Sequence, residues 1–307
     1  MSLDNYTRAG QIVDNYTRAG QIAAKVRENA RKKNHVGRTL YEICDSIESE
    51  ITERGGQPAF PVNISLNEIA AHYTAEPDDQ MVIKDTDVVK IDLGVHIDGY
   101  VADTAVTITY DSKYDQLIKI AELSLYEATK IAKCTTKSSE IGKTIENTIT
   151  YNGLKPIQNL SGHSLEQYII HAGKSIPNIK TFGPSFSLMP NQAYAIEPFV
   201  TTKDGLGIVY EGKIKNIFSL VSRKPTKNKD TDEFIIYLWN RFKTLPFALR
   251  WLVNDFTESK AREMLEYLIK KKNIRSYPLL VEGNNKVVSQ AEHTVFILEN
   301  RSHIITK

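Results

Sequence analysis

The stretch Val88–Tyr110, VVKIDLGVHIDGYVADTAVTITY, constrains this chain more than any other. Two runs of alternating apolar and other residues flank Asp98-Gly99, a residue pair suited to the positive φ angles of a tight hairpin turn. With that turn, Ile97 faces Tyr100 and Asp92 faces Ala105, while Asp103 lies two residues before Ala105 on the return strand. Side chains alternate faces with period two, so Asp92 and Asp103 share a face as diagonal neighbours, within reach of one ion or ion pair. Carboxylates set among Val, Ile and Ala are costly to bury unless something cationic neutralises them, and a metal would do so.

Other segments carry similar interruptions. AYAIEPFV, at 193–200, is an apolar run with Glu197 in its middle, and VVSQAEHTVFIL is strand-like except for Glu292 and His293. His163 and His171 are eight residues apart in LSGHSLEQYIIHAGKSIPNIK, a spacing that puts them on one face of a strand and roughly so on a helix. His72 follows the run EIAA, where a packing histidine is the plain expectation. One acid in one strand is unremarkable. Asp92, Asp103, Glu197 and Glu292 with a histidine suit two adjacent divalent ions, carboxylates bridging and the imidazole adding affinity for transition metals.

Around these segments lie helical periodicities: Tyr41–Arg54 ending at Gly55-Gly56, Tyr114–Lys133, and Ser139–Tyr151. The last two suggest a helical layer on one face of a sheet. Between Ser222 and Arg275 the character changes, with 13 Lys plus Arg against 7 acids. FIIYLWNRFK and AREMLEYLIKKK look helical there, so 222–275 reads as an inserted helical subdomain entered through RKPTKNKD. Its charge reads as a solvated face, or as a weak footprint for an anionic surface such as RNA. A net charge of +2 over 307 residues demands no nucleic-acid partner. Cys44 and Cys134 have neither metal-site nor disulfide-framework spacing, which points to a reducing compartment. No apolar run approaches the ~18 residues of a membrane span, and no signal-peptide core is present, so a cytoplasmic protein is expected. Residues 4–12, DNYTRAGQI, recur verbatim at 14–22. Ten residues of helix fall roughly 80° short of three turns, so the copies would present different faces. We therefore read 1–13 as a dispensable cloning duplication, with Asp14 as the N-cap of the helix that follows.

Taken together, IDLGVHIDGYVADTA, AFPVNISLNEIAAHYT, SGHSLEQYIIHAGKSIPN, AIEPF and AEHTVF resemble, in order and content, type 2 methionine aminopeptidase, an archaeal-type metallopeptidase of family M24. The likeness runs from about residue 14 to the end of the chain. It implies an α+β pita-bread fold, two halves around a curved antiparallel sheet, formed by 14–221 and 276–307, with 222–275 as the helical insertion of type 2 enzymes. It implies two divalent ions (Co, Mn, Fe or Zn): Asp92 on one, His163 with Glu197 on the other, Asp103 and Glu292 bridging. It further implies that Glu197 shuttles a proton and that His72 and His171 contact the scissile amide. Phe60, Ile170 and Phe199 become candidate walls of a methionine pocket. The implied substrate is the N-terminal methionine of nascent chains and peptides, cleaved by a monomer with a weak association with the ribosome. Two other readings share the fold: an Xaa-Pro dipeptidase, which would share all five ligands, and a non-catalytic RNA- or protein-binding relative.

Overall fold

A computed structural model describes residues 3–307 of the chain, and its side chains from Gly10 onward. The hairpin forms in the expected register, with Ile97 paired to Tyr100, Asp92 to Ala105 and Gly94 to Asp103. Asp98 and Gly99 both take positive φ, 49° and 80°, as the two-residue turn requires. Asn63–Leu66 extends this sheet along the free edge of the first hairpin strand, pairing Asn63 with Asp92.

A second antiparallel sheet is built from Ser302–Ile304, His293–Ile297, Gln192–Ile196, Ser161–Leu165 and Ser175–Pro177, in that spatial order. The two sheets meet where Ala105 and Glu292 exchange backbone hydrogen bonds of 3.4 and 3.2 Å. Threonines reinforce this seam. Thr104 Oγ1 donates to the Glu292 carbonyl (2.8 Å), Thr107 Oγ1 to that of Gln290 (2.6 Å), and Thr294 Oγ1 to that of Asp103 (2.8 Å). Hydroxyls substitute here for ladder bonds that the curvature of the joined sheets leaves unmade.

Helices cover each half. α1 (Leu3–Lys32) and α2 (Leu40–Glu53) share a core with the hairpin that includes Val26, Ile43, Ile91, Leu93 and Val106. Thr39 and Glu42 close a reciprocal capping box at the start of α2. α3 (Asp115–Ile131) and α4 (Ser138–Tyr151) bury Ile120, Ile141 and Ile145 against Tyr194 and Val295 of the second sheet. Among the described residues no helix is long and apolar enough to cross a membrane.

One expectation fails at α1. Asp14 does not cap a helix, because α1 runs unbroken through it from Leu3. The two copies of the repeat nevertheless have different surroundings. A Cβ at Gly20 would stand 2.2 Å from the Ile305 carbonyl, whereas one at Gly10 would meet nothing.

The basic segment is bracketed by strands Ile217–Leu220 and Ile274–Tyr277, which pair with each other. Between them, α5 (Lys229–Phe242) and α6 (Glu258–Lys270) close over a separate core of Phe234, Leu238, Phe247, Leu265 and Leu268. A buried ion pair ties this unit to α2. Arg250 bonds Glu48 and donates to Thr74 Oγ1 (2.7 Å), while Glu48 also accepts from Trp251 Nε1 (2.7 Å) and Val62 N (2.9 Å). Removing one partner strands the other charge in the interior, so Glu48→Ala should cost about 3 kcal/mol. Urea unfolding measures this, and an unfolding free energy within ~1 kcal/mol of the parent's at unchanged slope would contradict it.

Candidate active site and metal centre

The seam is also where the acids converge. Asp92 and Asp103 come from the hairpin, His163 and Glu197 from the second sheet and its exit, and Glu292 from the two-residue break between Val288–Gln290 and His293–Ile297. Ligand atoms of Asp103, His163 and Glu292 all lie within 4.8 Å of one another. His163 Nε2 stands 3.5 Å from Glu197 Oε1 and 3.7 Å from Asp103 Oδ2. The Gln290 amide donates to Asp92 Oδ2 and Glu292 Oε2, both at 3.3 Å. Asp92 Oδ1 and Asp103 Oδ1 are buried without any hydrogen-bond partner.

Electrostatics follow from this crowding. Burial raises the Asp92 carboxyl to about 7, against a weak opposing pull from Gln290. Burial, then repulsion from Asp92, pushes Asp103 well up. Glu197 and Glu292 are likewise raised by burial and by the neighbouring acids. His163 is driven the other way, to about 3, by burial and then by His171, so its imidazole is neutral and free to ligate. Among the described residues, no lysine or arginine is paired with these four carboxylates. Orphaned carboxylate oxygens around a neutral imidazole are the donor set that divalent cations take.

A pocket of about 80 Å³ opens over the acids. Phe60 and Ile170, both expected as walls, line it together with His72 and His171. Phe199 does not; it packs with Ala71, Ile157 and Val209 and borders a neighbouring cavity instead. A Cβ at Gly94 would come within 2.3 Å of the Phe60 ring, so glycine there lets Phe60 lie against the hairpin. His72 has a φ of 67°, a left-handed backbone rare for a residue with a side chain. Its Nδ1 lies 3.2 Å from the Pro278 carbonyl; a carbonyl only accepts, so Nδ1 carries the proton and Nε2 is the lone-pair acceptor. The His171 ring lies edge-on to His163, centroids 4.5 Å apart.

Sequence reasoning misses several lining groups. Ile217, Pro246 and Tyr277 reach the pocket from the borders and interior of the basic segment. Their separation along the chain hides them. Gln290 has a local signal: it sits two residues before Glu292 in the strand-like run VVSQAEHTVFIL, where a polar amide needs a reason. His293, beside Glu292, takes no part in this cluster; its Nδ1 faces Arg27 (3.0 Å) and Thr306 Oγ1 (2.9 Å).

Comparison with known proteins gives concordant results. Residues 14–215 match the family model of metallopeptidase family M24. A methionine aminopeptidase of Pyrococcus horikoshii is 43% identical over 307 residues, covering 100% of both chains. Among solved structures, a methionine aminopeptidase of Thermotoga maritima superposes with a TM-score of 0.69 at 20% identity, covering 97% of each chain. A thermophilic Arx1 superposes at 0.80 with 18% identity, covering 99% of this chain and 91% of its own. These likenesses establish the α+β pita-bread fold.

The raised carboxyls make stability depend on pH with a definite sign. Asp92 holds its proton to about 7 when folded, against an ordinary 3.8, so the folded state binds more protons between those values. Stability is then fully present below the ordinary value and is lost as pH rises through the folded one. Metal-free protein should melt at lower temperature at about pH 8 than at about pH 5, and divalent metal should reverse the order by displacing those protons. Calorimetric scans with and without chelator check this; a chelated protein equally stable at both would refute the carboxyl assignment.

Proposed function

The chain belongs to metallopeptidase family M24, among the methionine aminopeptidases, and from that membership we propose that it removes N-terminal methionine from new polypeptides and peptides. The observation that carries this reading is the convergence of Asp103, His163 and Glu292, with Asp92 and Glu197 beside them, in a pocket whose walls include Phe60, Ala71, Ile170 and Ile217. Two divalent ions would balance four carboxylates in charge, and Co, Mn, Fe or Zn suit the donor set. Asp92 would hold one, His163 and Glu197 the other, and Asp103 and Glu292 would be shared by both. When bound, such ions supply Lewis acidity and lower the pKa of water to near neutrality.

The chain's own groups divide the remaining chemistry. Glu197, its carboxylate 3.5 Å from His163 Nε2 within the cluster, shuttles a proton to the leaving amine as a general acid–base. His72, its Nδ1 proton engaged by Pro278, presents Nε2 as acceptor for a substrate N–H. Its pKa is lowered by burial, which keeps that lone pair free. His171, which also lines the pocket, donates to the scissile carbonyl as negative charge develops there. Phe60, Ile170, Ala71 and Ile217 receive the methionine side chain, and one methylene there discriminates by only ~1–3 kcal/mol.

The 222–275 segment reads as the insertion of type 2 enzymes, its basic excess suiting weak contact with ribosomal RNA. The protein acts as a cytoplasmic monomer, and residues 1–13 are dispensable to it.

Hydrolysis of Met-Ala-Ser and of Ala-Pro under added metal tests the main reading. Metal-stimulated release of methionine from the first, with the second left intact, is expected; the reverse preference would favour a prolidase-type enzyme, and no turnover of either a non-catalytic role. Asp103→Asn should abolish turnover even at saturating metal. His72→Ala should lower kcat by a factor of about 10²–10³ while metal content by mass spectrometry is retained; a metal-free variant would remove His72 from this role.

A further inference from the structure

Directly behind the metal centre, on the far face of the seam, lies a buried arginine that the aminopeptidase chemistry does not use. Arg27 is 7% exposed, and every nitrogen of its guanidinium is engaged. Nη1 donates to Thr104 Oγ1 (2.6 Å) and the Thr306 carbonyl (2.8 Å) and lies 3.0 Å from His293 Nδ1. Nε and Nη2 both donate to Glu28 Oε1, at 3.1 and 3.0 Å. Two of these contacts matter for the centre. Thr104 follows Asp103 in the chain and His293 follows Glu292, and these two carboxylates are the ones read as spanning both ions. Thr104 Oγ1 accepts from Arg27 and donates its own hydroxyl proton to the Glu292 carbonyl (2.8 Å), a chain of hydrogen bonds in which each polarises the next.

We propose that Arg27 is a positioning residue for metal binding: its guanidinium clamps Thr104 to His293 and so fixes the separation of Asp103 and Glu292 across the seam. The proposal rests on the metal reading of those two carboxylates. A planar fork is needed for this work. Lysine offers a single ammonium that can bond one or two of the acceptors but cannot span α1, the hairpin and the last strands at once. Gly20 contributes from the same helix, since a side chain there would collide with the Ile305 carbonyl and lift α1 from the chain's end. Without the clamp, the two carboxylates still reside in the pocket, but their spacing follows the looser seam; a supporting contact of this kind is worth about 10–100-fold in metal affinity.

The test compares Arg27→Met, Arg27→Lys and Thr104→Val with the parent and with Val26→Ala, a neighbouring buried change in α1 whose apolar side chain makes no hydrogen bond to Thr104 or His293. Mn²⁺ affinity by titration calorimetry, kcat and KM at saturating Mn²⁺, and melting temperature are read on each. Arg27→Met and Thr104→Val should bind Mn²⁺ at least ~10-fold more weakly, with KM changed less than affinity and Arg27→Lys intermediate. Val26→Ala should melt lower with Mn²⁺ affinity unchanged. Parental Mn²⁺ affinity in either Arg27→Met or Thr104→Val, or an equal loss in Val26→Ala, overturns the proposal; Thr104→Val decides the matter if Arg27→Met does not fold. A parent protein that binds no Mn²⁺ would instead overturn the metal reading on which the clamp depends.

Discussion

Mutual repulsion among four carboxylates, buried within reach of one another and without a lysine or arginine partner among the described residues, sets the terms for the rest of this molecule. Such a cluster is unfavourable for the polypeptide alone. It persists because the surrounding backbone is over-determined: a ten-residue hairpin strand on one side, a five-stranded sheet on the other, and helices holding both. Neither half alone holds the full set of acids. The hairpin brings Asp92 and Asp103, and the second sheet with its flanks brings His163, Glu197 and Glu292, so the cluster exists only where the halves touch.

The hairpin is fully legible in the residues themselves. Asp98-Gly99 fixes a turn, the turn fixes a register, and the register places Asp92 and Asp103 on one face. The acids in AYAIEPFV and AEHTVF are legible for a related reason, since charge in an apolar strand needs a partner. Bringing those strands to the hairpin is beyond periodicity and comes only from resemblance. What stays hidden is non-local. Ile217, Pro246 and Tyr277 are apolar or aromatic residues with no local oddity, and their place in the pocket depends on how strands 217–220 and 274–277 pair. Phe199 misleads because its neighbour Glu197 faces the acids; two residues along and past Pro198, its ring turns into a separate apolar cluster. Asp14 misleads because a good cap residue has no force where tertiary contacts carry a helix straight past it.

The basic segment also changes meaning on folding. Its charge count invites a reading in terms of an outside partner, whereas its flanking strands form part of the pocket wall and its Arg250 is committed to a buried bond with Glu48. Part of its positive charge is thus internal structure, and only the remainder is available to solvent.

The seam between the sheets has a consequence for how long the protein survives. A lone backbone exchange between Ala105 and Glu292, helped by threonine hydroxyls, is where the two sheets join, and the acids that repel one another lie beside it. Cations that bind only the joined form act as rivets between the halves. At a free concentration about a hundred times the dissociation constant, one such ion adds roughly 2.7 kcal/mol to stability. Without metal, the same acids must either keep their protons or repel one another across the seam. The atoms proposed to hold metal for catalysis would thus also hold the two halves of the fold together.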